Sequence, residues 1–148
     1  MKTPNNETFK TRADFEKNKA LSFAITQETT GTVDEVCEKV IESIKAIGFG
    51  ILTRIDFDQK IKEKLDEKIN RCVILGACNP RLALEAYRQS TDVALLIPCN
   101  IVVRELDSGK IRIEAMRPSK MLEFLKDVSR SNLIENAEKE LEHIIQLL

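Results

Sequence analysis

The segment Gly76-Ala77-Cys78-Asn79-Pro80 constrains this chain more than any other, because it ends an apolar run and has to open a helix. Ile69 to Leu75 is rich in β-branched and aliphatic residues and reads as a strand. Asn79 is a preferred N-cap and Pro80 is pre-set for a first helical turn, so strand must turn into helix at this point. A second break follows at Pro98-Cys99-Asn100, where Pro98 cannot donate to a ladder and belongs at an edge or a bulge. Each break displays a thiol beside a carboxamide, and binding or reactive groups are usually carried on loops held by rigid elements. The same residues also serve as plain helix punctuation.

The remaining segments extend this pattern. Residues 1–20 are polar, mixed in charge and without sustained periodicity, and read as an N-terminal extension to a single domain over 21–148. Leu21, Phe23 and Ile25 alternate with Ser22, Ala24 and Thr26, as in a half-buried strand whose inner face is the first set. Thr32-Val33-Asp34-Glu35 matches a capping box, and Val36, Cys37, Val40, Ile41, Ile44 and Ile47 then fall on one helical face, closed by a left-handed Gly48. Phe49 to Ile55 reads as a second strand, and Asp56 with Gln59 as the N-cap signature of a short helix to about Leu65.

Pro80 launches the next helix, through Leu82, Ala83, Ala86 and Tyr87. Val93 to Ile97 is nearly all apolar, as in a strand buried on both faces that resumes at Ile101. Asp107-Ser108-Gly109 divides it from Lys110 to Met116 as a hairpin, with Ile111, Ile113 and Ala115 inward. Pro118 starts a helix bearing Met121, Leu122 and Leu125, and an amphipathic helix with Leu133, Ile134, Ala137, Leu141, Ile144, Ile145 and Leu148 ends the chain. This order predicts an α+β fold, a mainly antiparallel sheet with helices packed on it.

Composition removes several functions. A net charge of -1 provides no field that would draw the chain to nucleic acid or anionic lipid. The longest apolar stretch, Val93 to Pro98, is far below the roughly 20 residues that cross a bilayer, and the first residues lack a secretory apolar core, so a cytoplasmic location and no membrane are expected. The five glycines never take a G-x-G-x-x-G or phosphate-loop spacing, and no cofactor is expected. Cys37, Cys72, Cys78 and Cys99 show no Cys-x-x-Cys pair and His143 stands alone, so no metal site is expected and reduced thiols are.

Cys78 is the best candidate nucleophile, since the partial positive charge of a helix N-terminus favours thiolate. The plainer reading, favoured by how often free cysteine is buried, has Cys78 filling a small gap while Asn79 caps the helix. Cys99 gains weight through alignment. If the strands ending at Cys78 and containing Cys99 are parallel neighbours, pairing 71 with 93 sets 77 opposite 99, and the two Cys-Asn units converge closely enough for a disulfide. Cys37 and Cys72 read as core, His143 as surface, and Arg54, Asp56 and Asp58 as capping and solvated charge. Arg117 reads either as an anion contact or, more simply, as a solvated turn charge.

Three separated motifs carry a resemblance: Gly48-Phe49-Gly50-Ile51-Leu52-Thr53 with Ile55-Asp56, then Leu75-Gly76-Ala77-Cys78-Asn79-Pro80, then Leu96-Ile97-Pro98-Cys99-Asn100 with Val102-Val103. Over about residues 21–148 the chain resembles the DUF302 family. The resemblance implies a small α+β fold similar to a single TATA-binding-protein-like unit and a capacity to form homodimers, without DNA binding. It assigns no activity. The signature positions are Cys78, Asn79, Pro80, Pro98, Cys99 and Asn100, whereas the acidic residue that usually precedes the proline at 118 is replaced by Arg117. The expected function is a domain that binds a small ligand in a pocket lined by the two Cys-Asn units, with Cys78, Asn79, Pro98, Cys99 and Asn100 as ligand-binding residues. The alternatives are a thiol redox enzyme or sulfur carrier acting through Cys78 and Cys99, and a structural homodimer module.

Overall fold

Alternation along five strands builds one open sheet in the computed structural model, which describes residues 23–129 and 131–148. The expected extension over 1–20 and the start of the first strand at Leu21 and Ser22 lie outside the described residues. In chain order the elements are β1 (Ala24–Thr29), α1 (Val33–Lys45), β2 (Gly50–Asp56), α2 (Phe57–Leu65), β3 (Cys72–Cys78), α3 (Pro80–Gln89), a 3₁₀ turn (Thr91–Leu96), β4 (Cys99–Glu105), β5 (Ile111–Met116), α4 (Pro118–Leu122) and α5 (Asn132–Gln146). The sheet order is β1-β5-β4-β3-β2, with antiparallel pairing throughout. The fold is α+β, as the element order implies.

Side chains on a strand alternate between faces, so each strand sends every second residue toward the helices. Ile25 on β1, Val73, Leu75 and Ala77 on β3, Ile101 and Val103 on β4, and Ile111, Ile113 and Ala115 on β5 form the sheet side of the core. The apolar stripes of α1 (Val36, Cys37, Val40, Ile44) and α5 (Ile134, Ala137, Leu141, Ile145) close it from above. Burial of each such aliphatic side chain stabilises by roughly 1.5–3 kcal/mol, and this layer is the main source of stability.

The local signals at α1 act as the residues imply. Glu35 N donates to Thr32 Oγ1 at 3.2 Å and Thr32 N donates to Glu35 Oε2 at 3.0 Å, the reciprocal capping box. At the other end Phe49 N donates to Ile44 O and Gly48 N to Lys45 O, while Gly48 takes φ +85°. This is a Schellman ending, which needs a residue that tolerates the left-handed region. The Asp107-Ser108-Gly109 hairpin also forms, with Gly109 at φ +83°.

Four expectations change. Val93 to Ile97 is not a strand: Thr91–Leu96 is a 3₁₀ turn with Val93 buried and Leu95 87% exposed. A short apolar run does not distinguish the two states, and here the chain must return to the sheet end that α3 has just left. Phe23 does not face the core but borders the opposite face, 40% exposed. Cys72 is half-buried on that opposite face rather than in the core. Asp56 makes no capping bond, because its carboxylate is taken by guanidinium groups.

Those guanidinium groups tie three elements at one end of the sheet. Arg71 reaches Asp34 at 2.9 Å, Asp56 at 2.7 Å and Asp58 at 2.8 Å, and Arg54 reaches Asp34 at 2.7 Å. Asp58 also accepts from Cys72 N at 3.1 Å. Arg54 holds Asp34, and Arg71 holds Asp56, below the usual carboxylate range by hydrogen bonding. Arg54, Asp56 and Asp58 therefore form a network rather than caps and solvated charge.

Gly76 is the tightest point of the sheet. A Cβ there would lie 2.2 Å from Thr53 Oγ1 and 2.7 Å from Pro98 Cγ, whereas one at Gly50 would meet nothing within 4 Å. Gly76→Ala is expected to destabilise by about 1–3 kcal/mol through overpacking, and Gly50→Ala to stay within about 0.5 kcal/mol of the parent. Urea midpoints at unchanged slope would measure both, and equal midpoints for the two variants would contradict the close packing at Gly76.

Candidate functional site

Cys78 is the last residue of β3, and the chain turns through Asn79 into α3. Asn79 Oδ1 accepts from Arg81 N at 3.1 Å and Leu82 N at 3.3 Å, a cap that contributes about 1 kcal/mol. Its amide nitrogen packs over the backbone of Gly48, where a Cβ would approach Nδ2 to 3.3 Å. One carboxamide thus caps α3 at the β3–α3 corner and lies beside Gly48, just past the end of α1.

Cys99 opens β4 and pairs across the antiparallel ladder with Ala77, while Asn100 pairs with Gly76. The sequence alignment that placed 77 opposite 99 assumed parallel neighbours, and β3 and β4 are antiparallel. The opposition survives because α3 runs out and the 3₁₀ turn runs back, returning the chain beside the corner it left. The Ile97–Pro98 peptide is cis.

Cys78, Asn79 and Cys99 border one cavity of about 60 Å³. Its walls are apolar, with Phe49, Ala77, Leu82, Ala83, Ile97, Met121 and Leu122 among them. The other two expected ligand-binding residues, Pro98 and Asn100, border a groove of about 540 Å³ on the opposite face of the sheet. Alternation separates them: Cys99 lies on the face of Ile101 and Val103, so the next residue faces away. The signature is split by the sheet, and only part of it surrounds one space.

Two further groups approach Cys99 that no spacing in the sequence pointed to. Cys99 Sγ lies 2.9 Å from Met121 Sδ on α4. Glu138 of α5 accepts from the Ser119 hydroxyl at 2.8 Å and from Ser119 N at 3.0 Å. Arg117 is neither a solvated turn charge nor an open anion contact, because it forms a fork with Glu142 at 2.9 and 3.2 Å. Only the packing of α4 and α5 against the end of β4 brings these groups together. His143 is exposed on α5, as expected.

Burial pushes the Cys99 thiol up to about 12, with Cys78 and Glu138 adding to the cost of a second negative charge. Burial raises Cys78 as well. The helix N-terminus does not offset this, since Asn79 already occupies the Arg81 and Leu82 amides that would face a thiolate. Cys37, wholly buried on α1, is pushed up to about 11 by desolvation.

A thiol whose pKa is raised stays protonated at neutral pH and gains reactivity only as pH climbs toward that value. Alkylation of Cys78 is therefore expected to be slow at neutral pH and to accelerate only at pH values above the ordinary thiol range, with Cys99 slower still. Site-resolved mass spectrometry of alkylation against pH checks this, and an ionisation at Cys78 well below about 8.5 would contradict it.

Comparison with known proteins adds a family without an activity. Residues 25–148 match the family described as "Domain of unknown function DUF302". The fold is similar to the solved structure of an uncharacterized conserved DUF302 protein from Bacillus stearothermophilus, with a TM-score of 0.74 and 27% identity over 83% of this chain and 95% of that one. No curated protein matches. With most of its length and its fold accounted for in this way, the chain belongs to the DUF302 family.

Proposed function

We propose that this domain binds a small ligand in the cavity bordered by Cys78, Asn79 and Cys99. One observation supports the reading: two cysteines from separate sequence motifs border one preformed, apolar space at a strand-to-helix corner. At about 60 Å³ that space is far below the roughly 300–1,000 Å³ of sites for drug-sized molecules, so the occupant has only a few heavy atoms. Redox or sulfur-carrier chemistry at Cys78 and Cys99 has less support, because both thiols are held toward the protonated form. A cytoplasmic setting fits the four free thiols, and among the described residues no helix is long and apolar enough to cross a membrane.

Ala83 borders the cavity on α3, and Ala83→Leu adds side-chain volume into that space. Native mass spectrometry of protein taken from cell extract is expected to show a small retained mass on the parent chain and none on Ala83→Leu, with stability lowered by no more than about 1–3 kcal/mol. Equal retention by both would place the ligand elsewhere.

A second reading, the homodimer, is favoured by the groove on the opposite face, where Phe23, Phe57 and Phe124 are 40%, 39% and 75% exposed. Arg104 and Glu114 pair at 2.7 Å in that groove, so a second copy laid on it meets an internally neutralised surface. Val102→Glu on this face is expected to turn a dimer into a monomer by sedimentation velocity. A monomeric parent chain at about 100 μM removes the reading.

A further inference from the structure

We propose that the groove on the opposite face of the sheet binds an amphipathic carboxylate, a single carboxylate on an apolar chain, through Arg104. This is a second site, separated from the cavity of Cys78 and Cys99 by the sheet itself. Strand pairing lays out its floor. Asn100, Val102 and Arg104 alternate along β4 with the buried Ile101 and Val103, so they share the face opposite the core. Val102 lies across from Ile74 of β3 and Glu114 of β5, and Arg104 across from Cys72 and Arg112. From Asn100 to Arg104 the floor runs about 13 Å, at roughly 3.3 Å per residue. Its volume of about 540 Å³ falls within the roughly 300–1,000 Å³ of sites for small organic ligands.

The chemistry changes along that length. Phe23, Met116, Met121 and Phe124 wall the end beside Asn100, and Val102 and Ile74 form an apolar middle. Arg104 stands at the other end with Cys72 and Phe57. A guanidinium beside an apolar floor is costly to cover unless it is paired. Its Nε donates to the buried Glu114 Oε1 at 2.7 Å, which uses one of five donors and fixes the plane of the group. Among the described residues Arg104 makes no second side-chain hydrogen bond, so its terminal nitrogens keep the fork that matches a carboxylate.

Charge balance agrees with one bound anion. Arg112 reaches Glu28 at 2.7 Å and Lys110 approaches the same carboxylate at 3.8 Å, so with the Arg104–Glu114 pair three cations share two carboxylates. Asp58, which accepts from Cys72 N, is already held by Arg71 at 2.8 Å. A wholly apolar occupant would cover the Arg104 fork without pairing it, and an inorganic anion would leave the apolar floor wet. A carboxylate on an apolar chain satisfies both ends of the groove.

The test titrates the full isotope-labelled chain with sodium octanoate and, separately, with octanol, following backbone amide shifts. Octanoate is expected to saturate shifts at Ile74, Val102 and Arg104 with a Kd at or below about 1 mM. Arg104→Met keeps the apolar stem and is expected to weaken octanoate at least about tenfold while leaving octanol within about twofold of the parent. Retained octanol binding shows that this variant is folded, so the loss reads the fork. Arg104→Lys keeps a charge beside Glu114 without the fork; it is expected to lose octanoate affinity selectively, and it decides the matter if the Met variant does not fold. Val102→Trp fills the floor and is expected to abolish both ligands. Parent-like octanoate binding in the Arg104 variants, an equal loss of octanoate and octanol in Arg104→Lys, or no saturable shift in the parent overturns the inference. Shifts confined to Phe49, Leu82 and Ala83 put octanoate in the other cavity and overturn it too. A dimer that Val102→Glu dissociates and octanoate leaves intact gives the face to a second copy, with the same result.

Discussion

The close approach of Pro98 to the backbone of Gly76 is the contact on which the rest of this structure depends. Pro98 precedes β4 and Gly76 lies in β3, and their separation leaves no space for even a single added carbon. With the proline ring seated there, β4 can begin beside the end of β3, and Ala77 comes opposite Cys99. The register of the central pair is set beside this contact, and the Gly109 hairpin then sets β5 on β4. A glycine and a proline that look like separate interruptions in the sequence are two halves of one packing contact.

From that pairing the sheet assigns each residue of the signature to a side. Cys99 faces the helices and approaches Met121, while Pro98 and Asn100 face the open groove. Asn79 holds the corner from the other strand by capping α3 and packing on Gly48. The conflict between activation and burial at Cys78 is settled by the same cap, because the amides that would stabilise a thiolate are occupied. A corner built this way keeps its thiols protonated and is poorly placed to attack a substrate.

Charge has a different role at the opposite end of β3. Arg71 gathers Asp34, Asp56 and Asp58 from α1, β2 and α2, and so fastens the edge of the sheet to two helices. The pairs are partly exposed, and each contributes little on its own in water. Their value lies in fixing where α1 and α2 leave the sheet. Arg117 does similar work at the start of α4, where its fork to Glu142 joins α4 to α5 beside Cys99.

Residue order alone determined the features that rest on neighbours along the chain. The capping box at Thr32 and Glu35, the Gly48 ending, the Asn79-Pro80 corner and the Gly109 hairpin are all bonded as their spacing implies, because each is closed by groups within a few residues. The α+β class was legible for the same reason, as the sum of such local signals, whereas the expected approach of Cys99 to the Cys78 corner rested on a parallel pairing that the antiparallel sheet does not make. Only the tertiary structure decided what depends on distant partners. Val93 to Ile97 became a 3₁₀ turn because the chain had to return to the same sheet end. Pro98 and Asn100 fell on the opposite face because one strand residue separates the two sides. Met121, Ser119 and Glu138 joined the site because α4 and α5 pack over the end of β4, an encounter set by the burial of Met121, Leu122 and Leu141 and by no spacing within the chain.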